Sequence, residues 1–202
     1  MLSQKNHKLL KPHYQGFFGI GYKEDDLSST GFDLYDKVDF IVKINGVKIK
    51  VQEKTCTSLG FLTVVCGVQD FLRSRAQFLT CGYPNAAQTG MDAVMICHLK
   101  AYREFCSRYR DSIVYKTGPN MGKLRDSHKW LKSTSERGRK ISFLAVPLMF
   151  LLDSDLGQEL GVVRSYMLTA EADRVLRWQR KHYDLRTPAC DDMIQKYGDI
   201  DG

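Results

Sequence analysis

The chain has 202 residues, 43% of them hydrophobic, which suits a single domain with a substantial core. Its formal net charge of +7 favours a polyanionic partner. No apolar run is long enough to span a bilayer, and signal-peptide, P-loop and GxGxxG patterns are absent, which argues against a membrane protein, a secreted protein and a nucleotide-driven enzyme. We therefore expect a soluble protein of the cytoplasm with no membrane partner.

The first predicted elements are an N-terminal helical stretch and an acidic segment. Residues 22–37 read YKEDDLSSTGFDLYDK and contain five acids: Glu24, Asp25, Asp26, Asp33 and Asp36. A cluster of this kind is typical of a solvated loop, and it is equally able to supply a carboxylate to a site formed by other elements.

Residues 38–58 predict a β-hairpin. Asn45-Gly46 is a two-residue turn signal suited to positive φ at both positions, and alternating apolar residues flank it. With this turn Ile44 pairs with Val47, every cross-strand pair has numbers that sum to 91, and Asp39 lies opposite Gln52.

The alternation of side chains divides the hairpin into two faces. The apolar face is expected to face the core and comprises Val38, Phe40, Val42, Ile44, Val47, Ile49 and Val51. The polar face comprises Asp39, Ile41, Lys43, Lys48, Lys50, Gln52 and Lys54. In this register Glu53 points to the apolar face, away from Asp39.

Further elements follow the hairpin. The spacing of apolar residues predicts a helix within 57–75, although Gly60, Gly67 and the β-branched residues 63–65 weaken the pattern. The remaining segments predict two short buried strands in 75–83 and 91–99, a helix in 100–112, a buried strand from 141 that runs into a turn or short helix, and an amphipathic helix that begins near Thr169.

The positions of Asp39, Gln52 and Lys54 resemble the PD-(D/E)XK nuclease superfamily, with glutamine where the family usually has a carboxylate. The resemblance covers roughly residues 34–112 and, more loosely, the predicted strand at 141–148. It implies an α/β fold in which a central mixed sheet carries the motif-bearing hairpin and is flanked by helices. It also implies a Mg²⁺ or Mn²⁺ cofactor held by Asp39 and Gln52, with Glu24 as first choice for an additional acid and Asp36 as second.

The chemistry of such a site can be stated from the residue types. A cation held by oxygen ligands offsets the charge of a phosphodiester and lowers the pKa of a bound water. Asp39 would be an anionic ligand, whereas Gln52 offers only a neutral carbonyl oxygen. Lys54 would position the water or stabilise charge on the phosphorus. The alternative is that these residues form the ordinary solvated face of a hairpin.

Residues 116–140 form a basic segment that we interpret as a loop that binds the phosphates of a nucleic acid. We expect this nucleic acid to be DNA rather than RNA. The alternative is an ordinary solvated loop. The residues expected to contact nucleic acid are Lys123, Arg125, Lys129, Trp130, Lys132, Arg137, Arg139 and Lys140.

The sequence therefore predicts one nuclease-like domain over residues 1–202, with a C-terminal helical segment at about 169–202, that hydrolyses phosphodiester bonds. Two other hypotheses remain: a nucleic-acid-binding or regulatory protein that has lost catalysis on the same fold, and a protein–protein interaction module. A homodimer is compatible with each of them.

Overall fold

The computed structural model describes residues 2–26, 36–56, 59, 62–108, 113–115, 118–119, 121, 131–136 and 139–185. Within these residues the elements follow the chain as α1 (Leu2–Phe18), β1 (Lys23–Asp26), β2 (Phe40–Ile44), β3 (Val47–Thr55), β4 (Thr63–Gly67), α2 (Val68–Arg73), β5 (Phe78–Pro84), β6 (Met91–His98), α3 (Leu99–Arg108), β7 (Ile113–Tyr115), β8 (Leu131–Glu136), β9 (Arg139–Pro147), α4 (Leu148–Asp153), α5 (Asp155–Leu160), β10 (Val163–Leu168), α6 (Ala170–His182) and β11 (Tyr183–Leu185).

The hairpin has the predicted turn and, along β2, the predicted register. Phe40 pairs with Val51 and the pairing continues without a shift to Ile44 and Val47. Asn45 and Gly46 have φ angles of 48° and 81°, the left-handed conformation that a two-residue turn of this kind requires. The turn residues alone were sufficient to predict this pairing.

A mixed six-stranded sheet is the centre of the fold, with the strand order β1-β2-β3-β5-β6-β10. Neighbouring strands are antiparallel except β3 and β5, which run parallel and are connected through β4 and α2. Helices pack against both faces of this sheet. The predicted α/β class, with a mixed sheet flanked by helices, is confirmed.

Each face of the sheet has its own core. On one face Leu10 and Tyr14 of α1 pack against Phe40, Val42 and Val51. We call this the α1 face. The opposite face has the larger core, which we call the main core, formed by strand residues such as Leu79 and Met95 with residues of α3, α4 and α6. Phe40, Val42 and Val51 of the predicted apolar face thus lie in a core as expected, but the other face of the hairpin is also covered where it approaches β5.

The segment expected to be one helix within 57–75 contains a strand and a short helix. Residues 57, 58, 60 and 61 lie outside the described residues. Thr63, Val64 and Val65 belong to β4 and pair with Pro147, Val146 and Ala145 of β9. Their β-branched side chains favour an extended backbone once a partner strand exists. The helical prediction was wrong for residues 63–67, because their partner strand lies far along the chain, and it agrees with the structure at α2.

The predicted basic loop also contains regular structure. Residues 131–136 form β8, which pairs with β9 in a three-stranded sheet of order β4-β9-β8. The sequence of β8 is polar and therefore did not indicate a strand. An edge strand can be polar because, unlike a central strand, it need not bury an apolar face. The loop prediction is therefore wrong for residues 131–136 and 139–140, while 122–130 lie outside the described residues.

Other predicted elements agree with the structure. The strands β5 and β6, helix α3, and β9 followed by α4 match the predicted segments. Helix α6 begins after Thr169, whose side chain accepts a hydrogen bond from the backbone N–H of Ala172. It ends at His182, so the predicted helical segment is wrong for the strand Tyr183–Leu185, and residues 186–202 lie outside the described residues. Within the described part of the chain no helix has the length and apolar character needed to cross a membrane.

Candidate functional site

Asp39 lies at a β-bulge at the start of β2. Its backbone N–H donates to the carbonyl oxygen of Val51 at 3.0 Å, and Val51 is also the register partner of Phe40. Two residues of one strand therefore lie opposite a single residue of the other, which is the defining feature of a bulge. Asp39 is opposite Val51 and not opposite Gln52, as the uninterrupted register predicts.

The bulge changes which faces the neighbouring side chains reach. Val38 packs in the main core, whereas Phe40, two residues later, packs on the α1 face against Tyr14. Strict alternation would put both side chains on the same face. The sequence-based assignment of Val38 and Phe40 to one face is therefore wrong. The face assigned to Asp39 was inferred from the same alternation and no longer follows from it.

The carboxylate of Asp39 is fixed by β3. Its Oδ2 accepts a hydrogen bond from the backbone N–H of Glu53 at 2.5 Å. Alternate backbone N–H groups of a strand point to the same neighbouring strand. The backbone of Val51 pairs with β2, so the N–H of Glu53 points to the same side, beyond the end of β2. The Asp39 carboxylate thus accepts the hydrogen bond that the backbone of a further strand residue would otherwise accept.

Gln52 lies on the main-core side of the sheet and is 1% exposed. Its register partner in β5 is Leu79, a member of the main core. The side-chain Oε1 of Gln52 has no hydrogen-bond partner among the described residues. A buried acceptor left unsatisfied costs about 1–3 kcal/mol, so this oxygen indicates a missing partner. The alternative, that these residues form an ordinary solvated face, does not hold for Gln52, because β5 and the main core cover it.

Lys54 shares the face of Gln52, two residues along β3, and its register partner is Cys81. Burial raises the pKa of the nearby Cys56 thiol, and the positive charge of Lys54 opposes that rise. The ammonium group is thus close enough to act electrostatically at the end of β3. The structure brings Asp39, Gln52 and Lys54 to one end of the hairpin, with Gln52 and Lys54 on the same face.

A second group of polar side chains lies on the α1 face. Glu53 Oε2 contacts His7 Nδ1 at 2.8 Å and accepts a hydrogen bond from the Tyr14 hydroxyl at 3.0 Å. Glu24 Oε1 contacts Lys11 Nζ at 3.0 Å and His7 Nε2 at 3.4 Å. We call His7, Lys11, Tyr14, Glu24 and Glu53 the His7 cluster.

The charges of this cluster favour a protonated imidazole. The hydrogen bond to Glu53 raises the pKa of His7 to about 9, with a smaller contribution from Glu24 and with burial acting in the opposite direction. Burial alone would raise the pKa of Glu24, but its contacts with Lys11 and His7 outweigh that effect and lower it. His7 is thus an imidazolium held between two carboxylates.

The His7 cluster and Asp39 are electrostatically connected. Burial raises the pKa of the Tyr14 hydroxyl well above its usual range, and the negative charges of Glu53 and Asp39 raise it further. Glu53 therefore links the two groups: its side chain belongs to the His7 cluster, and its backbone N–H holds the carboxylate of Asp39.

The upstream acids have partners of their own. Glu24 lies on β1 opposite Val42, on the α1 face and thus on the other side of the sheet from Gln52. Asp36 forms an ion pair with Arg75. Among the described residues, no three His, Cys, Asp or Glu side chains are grouped so that they could hold a metal ion. The structure therefore does not bring Glu24 together with Asp39 and Gln52 as a ligand set.

The residues expected to bind nucleic acid fall only in part within the described residues. Lys123, Arg125, Lys129, Trp130 and Arg137 lie outside the described residues. The backbones of the remaining three are in the β8–β9 hairpin, where the register pairs Lys132 with Phe143, Arg139 with Glu136 and Lys140 with Ser135.

Sequence reasoning missed the His7 cluster, although one signal was present. His7, Leu10, Lys11 and Tyr14 are separated by three, four and seven positions, which places them on one face of a helix. Glu53 had already been assigned to a core-facing position of β3, and a carboxylate there requires a hydrogen-bonded or charged partner. The two observations together indicate that α1 supplies that partner.

Comparison of the chain with models of protein families, with curated proteins and with solved structures finds no match.

Proposed function

We propose that this protein is a metal-dependent nuclease of the PD-(D/E)XK type that hydrolyses DNA in preference to RNA, with Asp39, Gln52 and Lys54 as its site. The observation that carries the proposal is the buried Oε1 of Gln52, which has no hydrogen-bond partner among the described residues and lies at the end of the hairpin that carries Asp39. A bound cation would supply the missing partner. The mixed sheet around the hairpin is compatible with this function.

The residue types fit Mg²⁺ or Mn²⁺. Both ions prefer oxygen ligands, and Asp39 and Gln52 offer a carboxylate and an amide oxygen. Glu24 is left out of the proposed ligand set because its carboxylate contacts Lys11 and His7 on the other side of the sheet. With a single carboxylate, the ion would keep several waters, which is usual for Mg²⁺.

Each residue has a distinct role in this proposal. The cation, when bound, offsets phosphate charge and makes a bound water more acidic. Asp39 contributes the negative charge that attracts the ion, and the Glu53 N–H holds its carboxylate in one orientation. Gln52 would hold the ion through its carbonyl oxygen. Lys54 would stabilise negative charge on the phosphate oxygens of the substrate.

Cleavage of a substrate panel tests the proposal. Linear, circular and branched DNA and a matched RNA are incubated with the protein in Mg²⁺, in Mn²⁺ or in EDTA. We expect cleavage of DNA that requires the metal and is lost in Lys54→Ala. Asp25→Asn is the control, because Asp25 is an exposed carboxylate of β1 that pairs with Lys43.

Three outcomes separate the hypotheses. Cleavage in the metals by the wild type and Asp25→Asn, but not by Lys54→Ala, supports the nuclease. Tight binding of DNA without cleavage in any metal contradicts it and favours a nucleic-acid-binding protein that has lost catalysis. Absence of binding to every nucleic acid contradicts both and favours a protein–protein interaction module.

A further inference from the structure

The outer face of α6 carries an exposed basic and aromatic stripe. Arg174, Arg177, Trp178 and Lys181 are spaced at i, i+3, i+4 and i+7, so they lie along one face of the helix, and all four are exposed. We call them the α6 stripe. The opposite face of α6 packs inward through the buried residues Ala172, Leu176 and Gln179. The stripe is therefore anchored on a helix that is part of the core.

Trp178 is held in a defined orientation although it is 44% exposed. Its indole stacks on the ring of His182 at a centroid distance of 4.5 Å and an interplanar angle of 24°, and it meets the buried ring of Tyr183 edge to face at 5.7 Å. His182 Nδ1 is in turn 2.8 Å from the carbonyl oxygen of Trp178. These contacts reduce the conformational entropy that the indole would lose when a ligand stacks on it.

The charges on α6 are arranged unevenly along its length. The acids Glu171 and Asp173 lie in the first turn, and the basic residues follow. Asp173 contacts Arg177 at 3.2 Å, and because exposed ion pairs of this kind are weak, a phosphate can replace the carboxylate. Arg180 lies outside the stripe and is held by both carboxylate oxygens of Asp153. The stripe thus presents positive charge around an exposed indole.

The position of α6 connects the stripe with the candidate site. The inner residues of α6 pack in the main core, on the same side of the sheet as Gln52 and Lys54. Gln179 of α6 also donates a hydrogen bond to the carbonyl oxygen of Leu62, which directly precedes β4 in the connection from β3. A nucleic acid strand bound along α6 would therefore lie on the side of the sheet that carries the candidate site.

We propose that the α6 stripe binds single-stranded nucleic acid, with Arg174, Arg177 and Lys181 contacting phosphates and one base stacking on Trp178. The choice of ligand rests on the proposed function. A single strand is favoured over a duplex because an indole can stack only on a base whose face is not already covered by its neighbours, and cationic grooves with aromatic platforms are the usual means of binding such strands.

Fluorescence anisotropy with a labelled oligothymidylate in EDTA tests the proposal without any cleavage. Stacking on an aromatic side chain contributes about 1–3 kcal/mol per base, so Trp178→Ala should weaken binding by roughly 5- to 150-fold, and Trp178→Phe should restore part of the loss. The triple variant Arg174→Gln, Arg177→Gln, Lys181→Gln should lower the slope of log affinity against log salt by about 2, at about 0.7 for each phosphate contact.

The matched control removes the same number of charges elsewhere. Lys5→Gln, Lys8→Gln and Arg73→Gln alter exposed positions on α1 and α2, which carry none of the stripe residues. This variant should keep most of the wild-type affinity and salt dependence, and circular dichroism checks that every variant folds.

The outcomes distinguish the two proposals. If the wild type binds the oligonucleotide but the α6 variants bind as tightly as the control, the stripe is not the binding surface, while the nuclease proposal stands. If Trp178→Ala alone has no effect, base stacking is excluded and the proposal fails. If the wild type binds no nucleic acid at all, the α6 proposal and the proposed function both fail.

Discussion

The carboxylate of Asp39 accepts a hydrogen bond from the backbone N–H of Glu53, across the bulge at the start of β2. The side chain of the same Glu53 is held by His7 and Tyr14 of α1. The orientation of Asp39 therefore depends on a helix on the other side of β3, although no residue of α1 was predicted to take part in the site.

Asp39 has two separable roles, one in stability and one in the proposed chemistry. Asp39→Asn keeps an oxygen that can accept from the Glu53 N–H but loses the negative charge, so metal-dependent cleavage should be lost with little change in stability. Asp39→Ala removes the acceptor as well and should also lower the free energy of unfolding by about 1–3 kcal/mol. Urea denaturation and a cleavage assay on both variants measure the difference. Full cleavage by Asp39→Asn would remove Asp39 from the proposed ligands.

Gln52 tests whether a cation satisfies the buried oxygen. Gln52→Glu places a carboxylate in a site that is 1% exposed, so the variant should be less stable than the wild type in EDTA. Mg²⁺ should then raise its melting temperature more than it raises that of the wild type, because binding to the folded state alone is stabilising. Gln52→Met has a similar volume and should lose the response to Mg²⁺ while costing no more than about 1 kcal/mol. A melting temperature of Gln52→Glu that does not respond to Mg²⁺ or Mn²⁺ would show that no metal binds there.

His7 should make stability depend on pH in the alkaline range. Its folded-state pKa is about 9, above the value of about 6.5 for an exposed histidine. A raised pKa means that the folded state holds the proton more tightly, so the stabilisation is complete below pH of about 6.5 and is lost as the pH rises through about 9. Urea denaturation between these limits should show falling stability in the wild type.

The control for that experiment is His7→Gln, which cannot be protonated. Its stability should be lower than that of the wild type below pH of about 6.5, and should fall less as the pH rises. Tyr14→Phe removes the other hydrogen bond to Glu53 but leaves the imidazolium in place, so its pH dependence should follow the wild type. A wild-type profile that is flat over this range would contradict the ion pairs assigned to His7.

Two basic residues of the β8–β9 hairpin can be replaced to test whether the basic segment binds DNA, without disrupting the two strands. Lys132→Thr and Arg139→Thr remove two positive charges but keep residues that favour an extended backbone. If both side chains contact phosphates of duplex DNA, the slope of log affinity against log salt should fall by about 1.8 in the double variant, at about 0.9 for each contact. An unchanged slope would show that these two positions are ordinary solvated surface.

Neighbouring residues determine the turn of the hairpin but not the bulge at its other end. The turn at Asn45-Gly46 fixes the pairing of Phe40 with Val51, because a two-residue turn allows only one register. The bulge at Asp39 has no such local signal, since it results from Val38 packing in the main core while Phe40 packs against Tyr14. The face of the hairpin on which Asp39 lies could therefore not be predicted from the alternation of side chains alone.

The strand β4 and the burial of Gln52 could not be predicted from neighbouring residues either. The strand β4 needs β9 as its partner, and the apolar residues of β4 are also compatible with a helix. The burial of Gln52 depends on β5 and the main core, which the hairpin sequence does not reveal. In both cases contacts between distant segments override the preference of the local sequence.

The pairing of Thr63 with Pro147 has a consequence for the order in which the chain folds. During synthesis α1 and the β2–β3 hairpin leave the ribosome early and can form from neighbouring segments, whereas β4 has no partner until β9 has been made. Closing so long a loop delays this contact, so Val64 and Cys66, which are buried in the finished protein, stay exposed in the nascent chain. Ribosome-bound chains that end before β9 should therefore bind chaperones through the β4 segment, and chains that include α4 should bind them less.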